Sequence, residues 1–274
     1  MKAKVNLTKK SNFVMMCAEV SAMYFDTHVH LNSEQLNENI ELYIQNALNQ
    51  KVQYMVCVGY DLASSQKAVK IASQYDFIYA AVGIGPNDCA NTTQADLEII
   101  EQLLTHEKVV ALGEVGLDYY WDEVSPHKQK EIFKKQIELA KKYHKPLIIH
   151  ARDAMNDTYE MLKAGQHYGI MHCYSGSYEM ARRFIDIGFY ISLAGPVTFK
   201  NAKVPKEVAK NIDINKLLIE TDCPYLTPHP YRGKLNEPAN VVYIAKEIAF
   251  QKDMSVEEVA RITTFNAKNV FGIK

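Results

Sequence analysis

The segment Tyr24-Phe25-Asp26-Thr27-His28-Val29-His30 reads Asp-x-His-x-His at the end of a short apolar run. If that run is a strand, residues two apart project to one face, so His28 and His30 point together. Two imidazoles on one face form half of a metal site, because neutral imidazole suits Zn, Cu, Fe and Ni. On this pair alone, a structural histidine pair is as good a reading as a metal site. The question is whether further ligands arrive at equivalent positions along the chain.

The elements that would bring them alternate from Met23 onward. Strands are predicted at about 23–30, Val52–Gly59, Phe77–Ile84, Val109–Gly116, Pro146–His150, Ile170–Tyr174, Phe189–Ala194 and Leu217–Asp222. Helical periodicity falls between them: Glu34–Gln50, Asp61–Tyr75, Asp96–Leu104, Ser125–Tyr143, Asp153–Lys163, Tyr178–Ile187, Pro205–Lys210 and Ala239–Gln251. Asp61 and Ser125 are N-caps, with Pro126 at a first helical position, and two helical turns, Ser255–Ala260 and Ala267–Val270, close the chain. Eight strand–helix units within 274 residues predict an α/β fold, a (β/α)8 barrel, with a doubly wound open sheet as the alternative.

Active sites of such barrels lie at the C-terminal ends of the strands. Those ends carry His28 and His30, then Glu114, His150, His172 and Asp222. Any one has a bland explanation: a buried satisfied histidine, a capping carboxylate, a turn before Cys223-Pro224. Six such groups at one end of one barrel are not all structural, since buried carboxylates and imidazoles are costly unless paired or metal-bound. His106, His127, His144, His167 and His229 fall in helices or loops and read as surface residues.

Composition bounds the rest. Lys+Arg 31 against Asp+Glu 32 gives a net charge of −1, which excludes a protein that coats nucleic acid along a basic surface but leaves room for a local cationic cleft. Five scattered cysteines without a Cys-x-x-Cys pair predict reduced thiols and a cytoplasmic protein. Residues 1–22 carry four lysines and a short apolar stretch ended by Glu19. They read as an N-terminal extension or the product of an upstream start codon, with residues 23–274 as a single domain.

The chain resembles the TatD-like metal-dependent hydrolases, in the amidohydrolase-like group of metal barrels, over about residues 23–273. The resemblance is carried by Phe25-Asp26-Thr27-His28-Val29-His30, Gly113-Glu114-Val115-Gly116-Leu117-Asp118-Tyr119, His150-Ala151-Arg152-Asp153-Ala154 and His172-Cys173-Tyr174-Ser175-Gly176. Glu220-Thr221-Asp222-Cys223-Pro224-Tyr225-Leu226 and Pro230-Tyr231-Arg232-Gly233-Lys234-Leu235-Asn236-Glu237-Pro238 complete it. It implies a deoxyribonuclease, some relatives being 3′→5′ exonucleases, with two divalent ions (Zn, Mn or Mg). His28 and His30 would hold the first ion and His150 and His172 the second. Glu114 would bridge them, and Asp222 would bind the first ion and handle the proton of the attacking water. The implied partner is DNA, as single strands or frayed ends. Rivals are a hydrolase of another bond, such as the ester of misacylated tRNA, and a metal-retaining binding protein. Gly85 departs from the family, whose members usually place a histidine there in Gly-x-His-Pro.

Arg152 is a substrate-binding candidate for a phosphate, because guanidinium binds phosphate oxygens bidentately; its alternative is a pair with Asp153. Tyr119, Tyr120 and Trp121 either offer stacking surface to bases or pack their loop. The lysines of the Ser125–Tyr143 helix are dispersed around it and read as a solvated face.

Overall fold

The computed structural model describes residues 23–274; the expected extension at 1–22 lies outside them. Strands β1 (Tyr24–Val29), β2 (Val52–Val58), β3 (Ile78–Val82), β4 (Val109–Asp118), β5 (Leu147–Arg152), β6 (Gly169–Met171), β7 (Phe189–Leu193) and β8 (Leu217–Ile219) pair in sequence order, all in parallel. Val29 bridges Cys223, with His30 N donating to Cys223 O and Asp222 N to His28 O, so the sheet closes on itself. The (β/α)8 expectation holds and the open sheet does not.

The helices are α1 (Glu34–Asn37), α2 (Ile40–Asn49), α3 (Leu62–Ala72), α4 (Gln94–Leu103), α5 (Pro126–Tyr143), α6 (Met155–Gly165), α7 (Tyr178–Asp186), α8 (Lys203–Asn211), α9 (Val241–Lys252) and α10 (Val256–Phe271). Side-chain caps at Asp61, Thr93, Ser125, Ser177 and Ser255 satisfy orphan N–H groups at five helix starts. Apolar residues divide into two sets. Met55, Cys57, Ile78, Ala80, Val82 and Leu112 face the helices, while Val56, Val58, Ala81, Val110, Ile148, Ile170 and Leu218 fill the bore. Phe271 of α10 packs on Phe25 at 5.8 Å and plugs the lower end.

Several boundaries differ from expectation. The predicted helix Glu34–Gln50 breaks at Asn39, whose φ of −128° leaves the helical region. The two turns expected at Ser255–Ala260 and Ala267–Val270 are one helix, α10. Its polar middle is satisfied internally, with Thr263 Oγ1 donating to Val259 O and Asn266 Nδ2 to Ile214 O and Leu217 O. Most consequential, β4 runs past Gly116 to Asp118 and β5 past His150 to Arg152. Their ladder continues through Gly116↔His150, Leu117↔Ala151 and Asp118↔Arg152. By contrast, β6 and β8 are three residues each, so His172 and Asp222 follow the strands rather than end them.

Two irregularities aim side chains. Phe25 packs in the bore, and Thr27 bonds there with Ser192, so strict alternation would also send Val29 inward and His28 outward. Instead Val29 joins the helix-facing core, and the β1–β2 register slips between Asp26 and Val29. The β4–β5 register slips likewise between Leu112 and Val115, beside Glu114. A one-residue slip of this kind turns the following side chains to the other face.

Candidate metal centre

At the upper end of the bore the structure gathers all six expected residues. The two carboxylate oxygens of Glu114 face different partners. Oε2 lies 3.4 Å from His28 Nε2 and 3.8 Å from His30 Nε2. Oε1 lies 2.9 Å from His150 Nδ1 and 3.2 Å from His172 Nε2. Asp222 Oδ1 approaches the first pair, 3.4 Å from His30 Nε2 and 3.7 Å from His28 Nε2, which are themselves 3.1 Å apart. Ligand atoms ~2.1 Å from one ion lie ~3.0 Å apart at right angles and ~3.4 Å apart at tetrahedral angles. His28, His30 and Asp222 form one group able to hold a cation, and His28, Glu114 and His172 another.

The outer ring nitrogens show why a cation fits. His30 Nδ1 meets Val58 O at 3.0 Å, His172 Nδ1 meets Glu220 Oε1 at 3.0 Å, and His150 Nε2 meets Asp118 Oδ2 at 2.8 Å. Each partner accepts only, so each outer nitrogen carries the proton and each neutral ring turns its lone pair inward. There the lone pairs confront carboxylate oxygens. Acceptor against acceptor at these distances needs a positive charge between them, supplied by extra protons or by a metal. His28 contributes Nε2 to the centre, and its buried Nδ1 has no partner.

The metal-free ionisation expresses the same frustration. Burial drives the His28 pKa down, helped by His172. Burial also opposes charge on His150 and His172, yet carboxylates win at both. Asp118 and Glu114 hold His150 up at about 9, and Glu114 and Glu220 hold His172 well above its ordinary value. Burial raises Glu114, but His172, His150 and His28 outweigh it and keep the acid well below the usual range. Divalent ions would displace such protons, which is how metal affinity couples to pH.

Two contributors were not assigned a role from sequence. Asp118 had a visible signal, since Glu114, Gly116 and Asp118 alternate on one strand face; ending the strand at Gly116 hid it. Glu220, fully buried, accepts from His172 Nδ1 and from Cys173 N at 2.6 Å. Carboxylates placed behind ligating histidines fix the tautomer and ring orientation.

Above the centre opens a cavity of about 720 Å³ whose wall includes Tyr60, Gly85, Asp88, Trp121, Arg152, Cys173 and Tyr225. Arg152 does not pair with Asp153. Its guanidinium carbon lies over the Tyr120 ring, 3.6 Å from the ring centroid. Tyr120 and Trp121 meet edge-on at 4.9 Å and are 54% and 47% exposed, so they offer surface. Tyr119 instead packs the loop, donating to Asp157 Oδ2 at 2.7 Å. The α5 lysines behave as a solvated face, with Lys130 on Asp157, Lys135 on Glu131 and Lys142 on Glu101.

A closed parallel barrel with clustered imidazoles and carboxylates at its mouth belongs to the class of metal-dependent hydrolase barrels. Within that class the chain is a member of the TatD family, its residues 25–272 matching the family described as TatD related DNase. It is 53% identical to the uncharacterized metal-dependent hydrolase YabD of Bacillus subtilis, over 92% of this chain and 100% of that protein. It is 35% identical to the uncharacterized metal-dependent hydrolase YcfH of Escherichia coli, over 90% of this chain and 95% of that one. Among solved structures, YjjV, a TatD homolog from Escherichia coli, superposes with a TM-score of 0.88 at 26% identity, covering 92% and 99% of the two chains. The protein is thus a metal-dependent hydrolase of this family, and among the described residues no helix is long and apolar enough to cross a membrane.

Proposed function

We propose that the protein is a two-metal phosphodiesterase that shortens single-stranded DNA from its 3′ end. The observation that carries the two-metal reading is the division of Glu114. One oxygen is turned to His28 and His30 and the other to His150 and His172. Asp222 completes the first set. When bound, the ions would polarise the phosphoryl group and make water acidic enough to ionise near neutral pH. Four imidazoles favour Zn, Fe or Ni on softness, whereas Mg and Mn prefer oxygen.

The chain's own groups do the rest. Glu114 holds the two halves at one fixed spacing. Asp222, whose Oδ1 faces the first pair, takes the proton of the attacking water at its carboxylate. Arg152, its guanidinium held over the Tyr120 ring, offers its N–H groups to a phosphate oxygen. Tyr120 and Trp121 receive a base by stacking, which is tolerant of sequence. DNA as substrate rests on this shelf and on the family's description as TatD related DNase.

With a net charge of −1 and no cationic run, the protein should hold few phosphates. Each neutralised phosphate on a single strand contributes ~0.7 to the salt slope, so the slope magnitude should stay below ~3. The test is an end-labelled strand beside a circular strand of the same sequence, with Zn, Mn or Mg supplied, and binding measured over a salt series. A ladder shortened from the 3′ end with the circle intact is expected. Rapid cutting of the circle means an endonuclease. No cleavage of DNA, with hydrolysis of an aminoacyl-tRNA ester, refutes the phosphodiesterase reading.

A further inference from the structure

We infer that Asp118 is a positioning residue shared by the second half of the metal centre and the stacking shelf, so that the two are energetically coupled. The inference rests on the two-ion reading above and adds to it a residue and a linkage. The Asp118 side chain is 1% exposed. Its Oδ2 meets His150 Nε2 at 2.8 Å and accepts from Asn87 Nδ2 at 3.2 Å. Its Oδ1 accepts from Tyr120 N at 3.0 Å and Trp121 N at 3.4 Å. One carboxylate therefore fixes the ring whose Nδ1 faces Glu114 and, through its other oxygen, the backbone of the two exposed aromatics.

All four partners are donors, so only a carboxylate satisfies both sides. An amide has one accepting oxygen and must turn its NH2 against either His150 or the shelf. The main chain of Asp118 is held independently, Asp118 N donating to Gln129 Oε1 at 2.8 Å and Gln129 Nε2 to Asp118 O at 2.7 Å. A side-chain substitution should thus leave the strand end in place. The linkage follows from geometry: an ion held at His150 Nδ1 would make Nε2–H a stronger donor to Oδ2, which fixes the carboxylate and, through Oδ1, the shelf. By reciprocity, a base stacked on the shelf tightens the ion that His150 serves.

Trp121 is the single tryptophan of the chain, so its emission reports the shelf directly. Zn2+ is a suitable probe, being d10 and redox-silent. The experiment titrates Zn2+ into the metal-stripped full-length protein, following stoichiometry by elemental analysis and the shelf by Trp121 fluorescence. Wild type should bind two ions, one of the two steps shifting the emission. Asp118→Asn should keep one ion at wild-type affinity, bind the other ~10–100-fold more weakly, and lose the emission step. Oligo-dT carrying uncleavable linkages should strengthen the weaker ion in wild type and not in Asp118→Asn. If that variant does not fold, His150→Ala gives the second measurement: the emission step should vanish while Asp118 remains. Asp118→Asn that binds both ions normally, or weakens both equally, overturns the proposal alone. Wild type that binds a single Zn2+ untouched by His150→Ala overturns the two-ion reading itself.

Discussion

Gly85 departs from the Gly-x-His-Pro that the family resemblance implies, and the structure allows the consequence of placing a histidine there to be worked out. A Cβ at Gly85 would lie 3.3 Å from Tyr60 O and 3.4 Å from Asp88 Oδ2, tight but not forbidding, and no left-handed φ bars a side chain. Asp88 Oδ2 is the end of a flexible side chain and can yield, whereas Tyr60 O is fixed by accepting from Gly85 N at 2.7 Å. The residual crowding, ~1 kcal/mol, is offset by the ~0.4–1 kcal/mol that replacing glycine removes from the unfolded chain's freedom. Gly85→His should therefore fold with a midpoint within about 4 °C of wild type. Partial burial, with Asp61 and Glu114 nearby, pushes the Asp88 carboxyl up to about 6, so it is largely ionised at pH 7. An imidazole beside it is favoured as the cation. A unit charge ~5 Å from a phosphate charge at an effective dielectric of ~20 contributes ~3 kcal/mol, and about half survives at an open mouth. That corresponds to roughly tenfold in kcat/KM. Initial rates on a short single strand should show the gain at pH 6.5 and much less of it at pH 8.5, as the imidazolium loses its proton. An unchanged or lower rate, with full metal content and an intact fold, would refute the reasoning and mean that the present rim already supplies that contact.

Two further outcomes separate the roles at the mouth. Asp222→Asn should cut turnover by at least ~10²-fold with a much smaller change in substrate affinity, because proton handling is lost while most ligands remain; single-turnover rates beside a binding isotherm check it. Tyr120→Ala should weaken binding of oligo-dT by ~1–3 kcal/mol without changing metal stoichiometry, measured by anisotropy and elemental analysis.

Most of the framework was legible because its signals are local. Short continuous apolar runs alternated with helical stripes, and six metal-ligand residue types fell near strand ends. What stayed hidden depended on register. The same-face relation of His28 and His30 could be read, but not which face, because the slip between Asp26 and Val29 leaves no mark in the residue pattern. Asp118 stayed without a role because the expected strand ended at Gly116, two residues short of it, whereas Gly113 and Gly116 both lie inside β4. A Cβ at Gly116 would fall 2.0 Å from His150 O, so glycine is what lets β4 and β5 approach closely beside the ligands. Arg152 was placed at the mouth by its spacing from His150, yet its partner, the Tyr120 ring, depends on the β4–β5 ladder extending to Asp118 and Arg152.

The two sides of the mouth are built on different principles, and Asp26 explains how the weaker side holds. On the β4–β5 side Glu114 and His150 ride on strand, and the shelf follows directly from the end of the paired ladder at Asp118 and Arg152. Beyond the short strands β6 and β8 the backbone is irregular, with Cys173 at φ 40° and Asp222 at φ 56°. Such conformations cost on the order of 1–3 kcal/mol each and persist only where the surroundings fix them. Asp26, the first residue of the Asp-x-His-x-His segment, turns away from the centre. It accepts Thr221 N at 2.8 Å on Oδ1 and Thr221 Oγ1 at 2.6 Å on Oδ2. Asn236 Nδ2 donates to Thr221 O from the other side, and Asp222 N to His28 O. Thr221 is thus fastened at its N–H, its hydroxyl and its carbonyl, immediately before Asp222. The carboxylate of Asp26 does structural work for the histidines it precedes: it locks the Asp222 segment to β1, so that Asp222 Oδ1 meets His28 and His30 without a strand to carry it.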